Sequence, residues 1–102
     1  MISRLWHGWA TIGNADVYEK LLREEVLPGI HRVPGFKGAH LLRRNGQSEV
    51  EFVTITMFDS LEAVKEFAGE DYEVAVVPPQ ARKLLSHFDA RSIHYETVFR
   101  LD

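Results

Sequence analysis

The sequence predicts an α+β fold, a ferredoxin-like βαββαβ sandwich built on an antiparallel sheet. The first observation is the order of periodic segments, which runs strand, helix, strand, strand, broken helix, strand along the 102 residues. The second is Asn45-Gly46, a strong hairpin signal that makes the two middle strands antiparallel neighbours. The third is the strand over residues 49–58, which is apolar on both faces and therefore belongs in the sheet centre. We expect the first and third strands to be central and both helical layers to cover one face.

The first predicted strand covers residues 2–11 and is rich in aromatic side chains. Strand alternation puts Trp6 on one face with Arg4 and Gly8, and Trp9 on the other face. Because Gly8 adds nothing to packing inside a strand, it indicates a close approach by another group, either a ligand or a packed helix.

A long amphipathic helix is predicted after this strand. We expect Asn14 to cap it and Pro28-Gly29 to end it after about Leu27. A Pro-Gly turn then leads into the second strand over residues 36–44. The predicted buried stripe of the helix consists of Val17, Tyr18, Leu21, Leu22 and Val26.

The second half of the chain reads as a broken helical layer and a final strand. Asp59 is expected to cap a helix over residues 60–68. Two further helical segments, interrupted by a pair of prolines, are predicted over residues 72–77 and 80–88. Alternating residues over 91–101 predict the last strand.

Length and composition indicate one domain spanning residues 1–102. No targeting segment or membrane span is recognisable, so we expect a cytoplasmic protein with no membrane partner. The absence of cysteine excludes disulfides and thiolate metal sites. The net charge is −3 and the basic residues are scattered, which argues against nucleic-acid binding. Dinucleotide and metal motifs are also missing, so we expect no flavin, nicotinamide or metal cofactor.

Five short motifs spread along the chain carry a family resemblance. They are Arg4-Leu5-Trp6-His7-Gly8-Trp9, Val33-Pro34-Gly35-Phe36, Phe58-Asp59-Ser60-Leu61-Glu62-Ala63, Phe67-Ala68-Gly69-Glu70-Asp71 and His94-Tyr95-Glu96. In these motifs the chain resembles the antibiotic biosynthesis monooxygenase family. The resemblance implies a homodimer of the dimeric α+β barrel type, in which two four-stranded sheets pack face to face. It also implies a pocket between the sheet and the helices of each subunit.

The resemblance covers several chemistries, because a fold does not determine a function. The haem-degrading branch has an asparagine on the first strand, a tryptophan in the second helix and a histidine iron ligand after it. This chain has no such asparagine, carries Phe67 in that helix and has no histidine in residues 72–82. The quinone-forming branch resembles cofactor-free oxygenases that deprotonate a polycyclic phenol. We expect a monooxygenase of that kind, with a non-catalytic binding or stress-response module and a haem protein as alternatives.

The candidate catalytic residues are those that could create and hold a phenolate. His40 and His94 lie on predicted strands and are candidate bases, because imidazole titrates near neutral pH. His7 lies on a strand expected to neighbour that of His94, so the two could meet. Arg82 is the candidate electrostatic partner of the phenolate. The alternatives are paired structural histidines and a surface salt bridge.

Aromatic side chains are the candidates for binding a small-molecule substrate, because flat rings stack on flat ligands. The candidates are Trp6, Trp9 and Tyr72. The alternative role for such side chains is to fill a dimer core. On the doubly apolar third strand, Phe52 and Phe58 either line the subunit interface or face the helices.

Overall fold

The computed structural model covers residues 1–102 and has the predicted α+β architecture. Its strands are β1 (Ile2–Thr11), β2 (Phe36–Asn45), β3 (Glu49–Phe58), β4 (Leu85–Phe88) and β5 (Ile93–Glu96). Its helices are α1 (Ile12–Leu21), a π-helical segment (Leu22–Val26), α2 (Leu27–Ile30), α3 (Leu61–Ala68) and α4 (Pro79–Arg82). None of these helices combines the length and hydropathy that a membrane crossing needs.

The sheet confirms the predicted strand order. Antiparallel pairing runs β2-β3-β1-β4, and β5 also pairs with β1. The β2-β3 hairpin turns at Asn45-Gly46, as its sequence predicts. The two short strands share one edge of β1: β5 pairs with Ile2 to Leu5 and β4 with Gly8 to Ala10. The central strands are therefore β1 and β3.

The helices cover the aromatic face of β3 and leave the middle of its aliphatic face open, while Met57 at the end of that face is buried. Phe52 and Phe58 are 0% exposed and belong to the two core clusters under the helices. Val53 and Ile55 point the other way, as alternation requires, and remain partly exposed. Of the two alternatives for the aromatic face, contact with the helices is correct, and the face left for a partner is the aliphatic one.

The first helical layer is longer than predicted. Thr11, not Asn14, is its N-cap, because the Thr11 hydroxyl accepts a hydrogen bond from the Asn14 backbone N–H at 3.3 Å. The layer also continues past Pro28-Gly29 to Ile30. A π-helical turn lies immediately before Pro28, and its wider spacing relieves the clash between a proline ring and the preceding turn. The predicted buried stripe is wrong at Val17, which is 55% exposed.

The second half departs furthest from the predicted elements. Ser60 caps α3 by accepting from the Ala63 N–H at 3.2 Å, so the prediction of Asp59 as the cap is wrong. Residues 72–77 form no helix. The helix predicted over residues 80–88 is confined to α4, and its second part is β4. That strand satisfies backbone groups along the half of β1 that β5 does not reach, and this pairing overrides the helical spacing of its apolar residues. The last strand, β5, is much shorter than predicted.

Candidate functional site

A pocket lies between the sheet and the helical layer, with a cavity volume of about 60 Å³. Its floor comes from β1 and β3, and its walls come from the long first helical layer and from residues 76–78. The polar floor residues are Arg4, Thr54 and Thr56. A shallower apolar groove of about 180 Å³, which we call the outer groove, continues from this cavity. The cavity and the outer groove share Val26, Ile30, Phe67, Val76 and Pro78.

Arg4 is the charged residue of the pocket floor and is only 4% exposed. Its guanidinium donates hydrogen bonds to the backbone carbonyls of Tyr72 and Val74, the second at 3.2 Å, and to Nε2 of His94 at 3.0 Å. These three acceptors are uncharged, and the Phe67 ring lies 5.5 Å from the guanidinium carbon. Burial lowers the pKa of Arg4 to about 10, so the side chain keeps its positive charge at neutral pH.

His94 is the direct neighbour of Arg4 across the β1-β5 pair. Because an arginine only donates, Nε2 of His94 accepts and its Nδ1 carries the hydrogen. That Nδ1 atom is buried and has no hydrogen-bond partner. Burial and the nearby charge of Arg4 lower the pKa of His94. The ring is therefore neutral at neutral pH and presents a donor.

Other polar groups of the pocket differ in how well they are paired. The hydroxyl of Thr54 is buried without a partner. Trp6 lines the pocket and donates from Nε1 to the carbonyl of Asp89 at 2.7 Å. Tyr18 also lines it, and burial raises the pKa of its hydroxyl, which stays protonated. The Thr54 hydroxyl is thus a second group of the floor, beside Arg4, whose hydrogen bonding the protein does not complete.

Three of the six predicted site residues lie at or near this pocket. Trp6 lines it directly. His94 and Tyr72 do not line the pocket but accept hydrogen bonds from Arg4, His94 through Nε2 and Tyr72 through its backbone carbonyl. Their rings meet edge to face with centroids 5.1 Å apart. Arg82 lies outside the lining: it is exposed on α4, with its guanidinium 5.4 Å from the Phe88 ring. The prediction of Arg82 as a pocket residue is therefore wrong in this arrangement.

His40 and Trp9 lie on the opposite face of the sheet from the pocket. His40 pairs with Ile55 and is exposed, while Trp9 stacks on His87 with ring centroids 4.4 Å apart. Both were predicted as site residues from residue type, but strand alternation separates them from Trp6 and His94. They cannot touch a ligand held under the helices of the same chain.

His7 does not meet His94. It lies on the open face with Trp9, and its Nδ1 is 2.7 Å from a carboxylate oxygen of Asp89. Its Nε2 is 4.0 Å from Glu51. The adjacent strands hold the two histidines on opposite faces, so the predicted approach of His7 to His94 is wrong.

Sequence reasoning missed Arg4 and Thr54 as pocket residues. The available signal was alternation: Arg4 shares the face of Trp6 and Gly8 on a central strand, where a charged residue is unusual. Thr54 alternates with Phe52 and Thr56 on β3, which puts it on the aromatic face of that strand, and the structure places it directly opposite Trp6.

Comparison with known proteins gives one family match. The sequence matches the family model described as antibiotic biosynthesis monooxygenase over residues 2–90. A comparison of the sequence with curated proteins gives no match.

Solved structures of the same fold include enzymes with different chemistry. The haem degrader MhuD from Mycobacterium tuberculosis, with two haems bound in its active site, is 18% identical with a TM-score of 0.67, and the alignment covers 100% of both chains. The cofactor-independent oxygenase SnoaB from Streptomyces nogalater is 16% identical with a TM-score of 0.66, covering 98% of this chain and 96% of that one. A Streptomyces coelicolor monooxygenase in complex with nanaomycin D is 15% identical with a TM-score of 0.64, covering 98% and 89%.

Proposed function

The chain belongs to the antibiotic biosynthesis monooxygenase family, and from this premise we propose that it is a cofactor-independent monooxygenase acting on a flat, phenolic, polyketide-like small molecule. The observation that carries the proposal is Arg4, a buried positive charge with uncharged partners on the floor of an apolar pocket. Such a group stabilises a phenolate more strongly than it would in water. Similarity in fold to SnoaB, a cofactor-independent oxygenase, supports the same chemistry.

The proposed role of the pocket is to favour ionisation of the phenol. Arg4 stabilises the phenolate, and the phenol releases its hydroxyl proton to water. Neutral His94 holds the guanidinium in place through Nε2 and is already hydrogen-bonded there, so it acts as a positioning residue and not as the base. The electron-rich phenolate ring then reduces dioxygen. In an anthrone-like substrate the ring methylene group becomes a carbonyl: its two hydrogens leave with one oxygen atom of O2 as water, and the other oxygen atom stays in the product.

The size of the cavity sets a condition on this proposal. An apolar cavity of roughly 150 Å³ holds benzene, whereas the cavity of this chain measures about 60 Å³. A substrate must therefore extend into the outer groove or displace the wall formed by residues 76–78. The half-exposed Val76, at 45%, is the part of that wall with fewest packing constraints.

Oxygen consumption with anthrone-like and hydroquinone substrates tests the proposal. Arg4→Gln should lower the rate about 100-fold or more, because it removes a preorganised charge from the phenolate. Arg82→Gln and His40→Gln are matched controls outside the pocket and should retain the wild-type rate. Intact activity in a folded Arg4→Gln protein would refute the mechanism, and inactivity of the wild-type protein on every phenol tested would refute the function.

The narrow cavity favours one alternative, a non-catalytic binding module with the same fold. The pocket residues do not support haem degradation, because the pocket lining contains neither histidine nor cysteine. Burial also raises the pKa of Tyr18 and so disfavours a tyrosinate ligand.

We also propose that the protein is a homodimer through the open face of the sheet. Leu42, Ile93 and Tyr95 are 47%, 49% and 54% exposed there, beside the partly exposed Val53 and Ile55. An uncovered apolar sheet face of this kind is typical of a subunit interface. The family resemblance supports the same arrangement.

A further inference from the structure

The pocket changes polarity from its inner end to its outer end. Arg4 and Thr54 lie on the sheet floor of the cavity. The outer groove, by contrast, is lined by Val33, Phe67 and Val76 and by other uncharged residues. The two spaces adjoin, since they share five of the seven residues that line the groove. A molecule that fills both must have one polar end and an apolar body.

The inner end offers donors and a positive charge. Three of the five N–H donors of Arg4 are used by Tyr72, Val74 and His94, which leaves two without a protein partner. The unpaired hydroxyl of Thr54 lies on the same floor. Because a buried charge without a countercharge is unfavourable, the complementary ligand group is an anion.

We infer that the site binds a compact aromatic monoanion, whose carboxylate or phenolate oxygen meets Arg4 and Thr54 while its ring occupies the outer groove. This inference rests on the proposed location of the site, but it concerns binding and does not require oxidation. It adds to the proposed function the charge of the ligand, which is negative and lies at one end of the molecule. Arg4 is the residue that selects the charge, and Thr54 adds one hydrogen bond.

A matched pair of ligands tests the selection of charge. 2-Naphthoate and 2-naphthamide have nearly the same size and shape and differ in charge, so calorimetric titration of both measures the contribution of the anion. Wild-type protein should prefer the naphthoate at least tenfold. Arg4→Gln should reduce the preference to about onefold while naphthamide still binds, and Arg82→Gln should leave it unchanged. Thr54→Val, which keeps the shape of the side chain, should reduce naphthoate affinity a few-fold.

Three results would overturn the inference. Equal wild-type affinity for the two naphthalenes, together with an unshifted pKa of bound 4-nitrophenol, would remove the anion site, and this result does not depend on any variant folding. An unchanged preference in folded Arg4→Gln would remove the role of Arg4. Octanoate binding as tightly as 2-naphthoate would remove the aromatic part.

4-Nitrophenol separates phenolate from carboxylate recognition, because its ionisation is visible in its absorbance. Bound to wild-type protein, its pKa should fall by about one unit, a tenfold change in the ionisation constant. Bound to Arg4→Gln it should not fall. A lowered pKa without naphthoate preference identifies the phenolate as the ligand group, and the reverse identifies the carboxylate; absence of both overturns the inference. Oxygen consumption is measured separately, so charge selection without oxidation would leave this inference standing and refute the proposed oxygenase.

Discussion

Arg4 connects the sheet to the segment that walls the pocket. Its guanidinium binds the backbone carbonyls of Tyr72 and Val74, which lie in irregular chain between α3 and α4. Those carbonyls have no helix or long strand to satisfy them, and the arginine supplies the missing donors. The same side chain therefore anchors the segment that leads into the wall and places a positive charge in the pocket.

The partly buried position of His94 predicts a specific pH dependence of stability. Burial and the charge of Arg4 lower its pKa in the folded protein, whereas the unfolded chain has a pKa of about 6.5. The unfolded state therefore binds the proton first, and stability falls as pH drops below about 6.5 toward the folded pKa. Urea unfolding at about pH 8 and about pH 5 should show a smaller loss for His94→Gln than for wild type.

A variant with a histidine removed elsewhere is the control for this experiment. His31→Gln changes an exposed histidine at the end of α2, away from the open face, and should keep the wild-type loss of stability. Equal losses in wild type and His94→Gln would show that His94 titrates alike in both states.

At the residue scale, the sequence predicts which residue types a site needs. The face of the sheet on which each residue lies decides whether it reaches the pocket. Trp6 and Trp9 are equally good ligand-binding residues by composition, yet only Trp6 lies under the helices. Alternation in β1 separates them, but sequence does not say which face the helices cover. Arg4 was overlooked because a buried charge is uncommon, and its pairing with His94 depends on strand register that no local signal encodes.

At the scale of elements, the turn before β2 depends on Gly35. Its φ is +88°, and an added Cβ would lie 2.6 Å from the Cβ of Ala63 and 2.7 Å from a carboxylate oxygen of Asp59. We expect Gly35→Ala to destabilise the protein by about 2 kcal/mol or more, from backbone strain and overlap. Thermal unfolding measures the change.

Gly13 provides the matched glycine variant. It lies in α1, and a Cβ there would meet nothing within 4 Å. Gly13→Ala should therefore stabilise the protein by about 0.5 kcal/mol through the better helix propensity of alanine. A Gly35→Ala protein as stable as Gly13→Ala would contradict the structure of the turn.

The elements that were predicted correctly are those with strong local signals. The bounds of β1 and β3 and the β2-β3 hairpin follow from alternation and from Asn45-Gly46. The strand β4 could not be derived in this way, because Leu84, Leu85 and Phe88 also fit a helical spacing. Its conformation is determined by the free edge of β1, a partner more than 70 residues away in sequence, and only tertiary structure reveals that edge.

At the scale of the whole molecule, one face of the sheet is covered and the other is open. The helical layers bury Phe52 and Phe58, whereas the opposite face keeps partly exposed Val53 and half-exposed Leu42. The exposed C-terminal residues Val98, Phe99 and Leu101 add further apolar surface, at 89%, 76% and 83%. Monomers seldom expose large apolar patches, which is the physical basis of the proposed dimer.

The dimer proposal predicts different effects for three glutamate substitutions. Leu42→Glu should convert the dimer to a folded monomer, because Leu42 is half-exposed in the single chain but would be buried without a countercharge in the interface. Val17→Glu has a matched exposure of 55% on the helical layer and should remain dimeric. Phe52→Glu should unfold, because it places a charge in the core. Sedimentation velocity at micromolar concentration, with circular dichroism as the check on folding, distinguishes these outcomes. A monomeric wild-type protein, or a Leu42→Glu protein that stays dimeric, would exclude the open face as the interface.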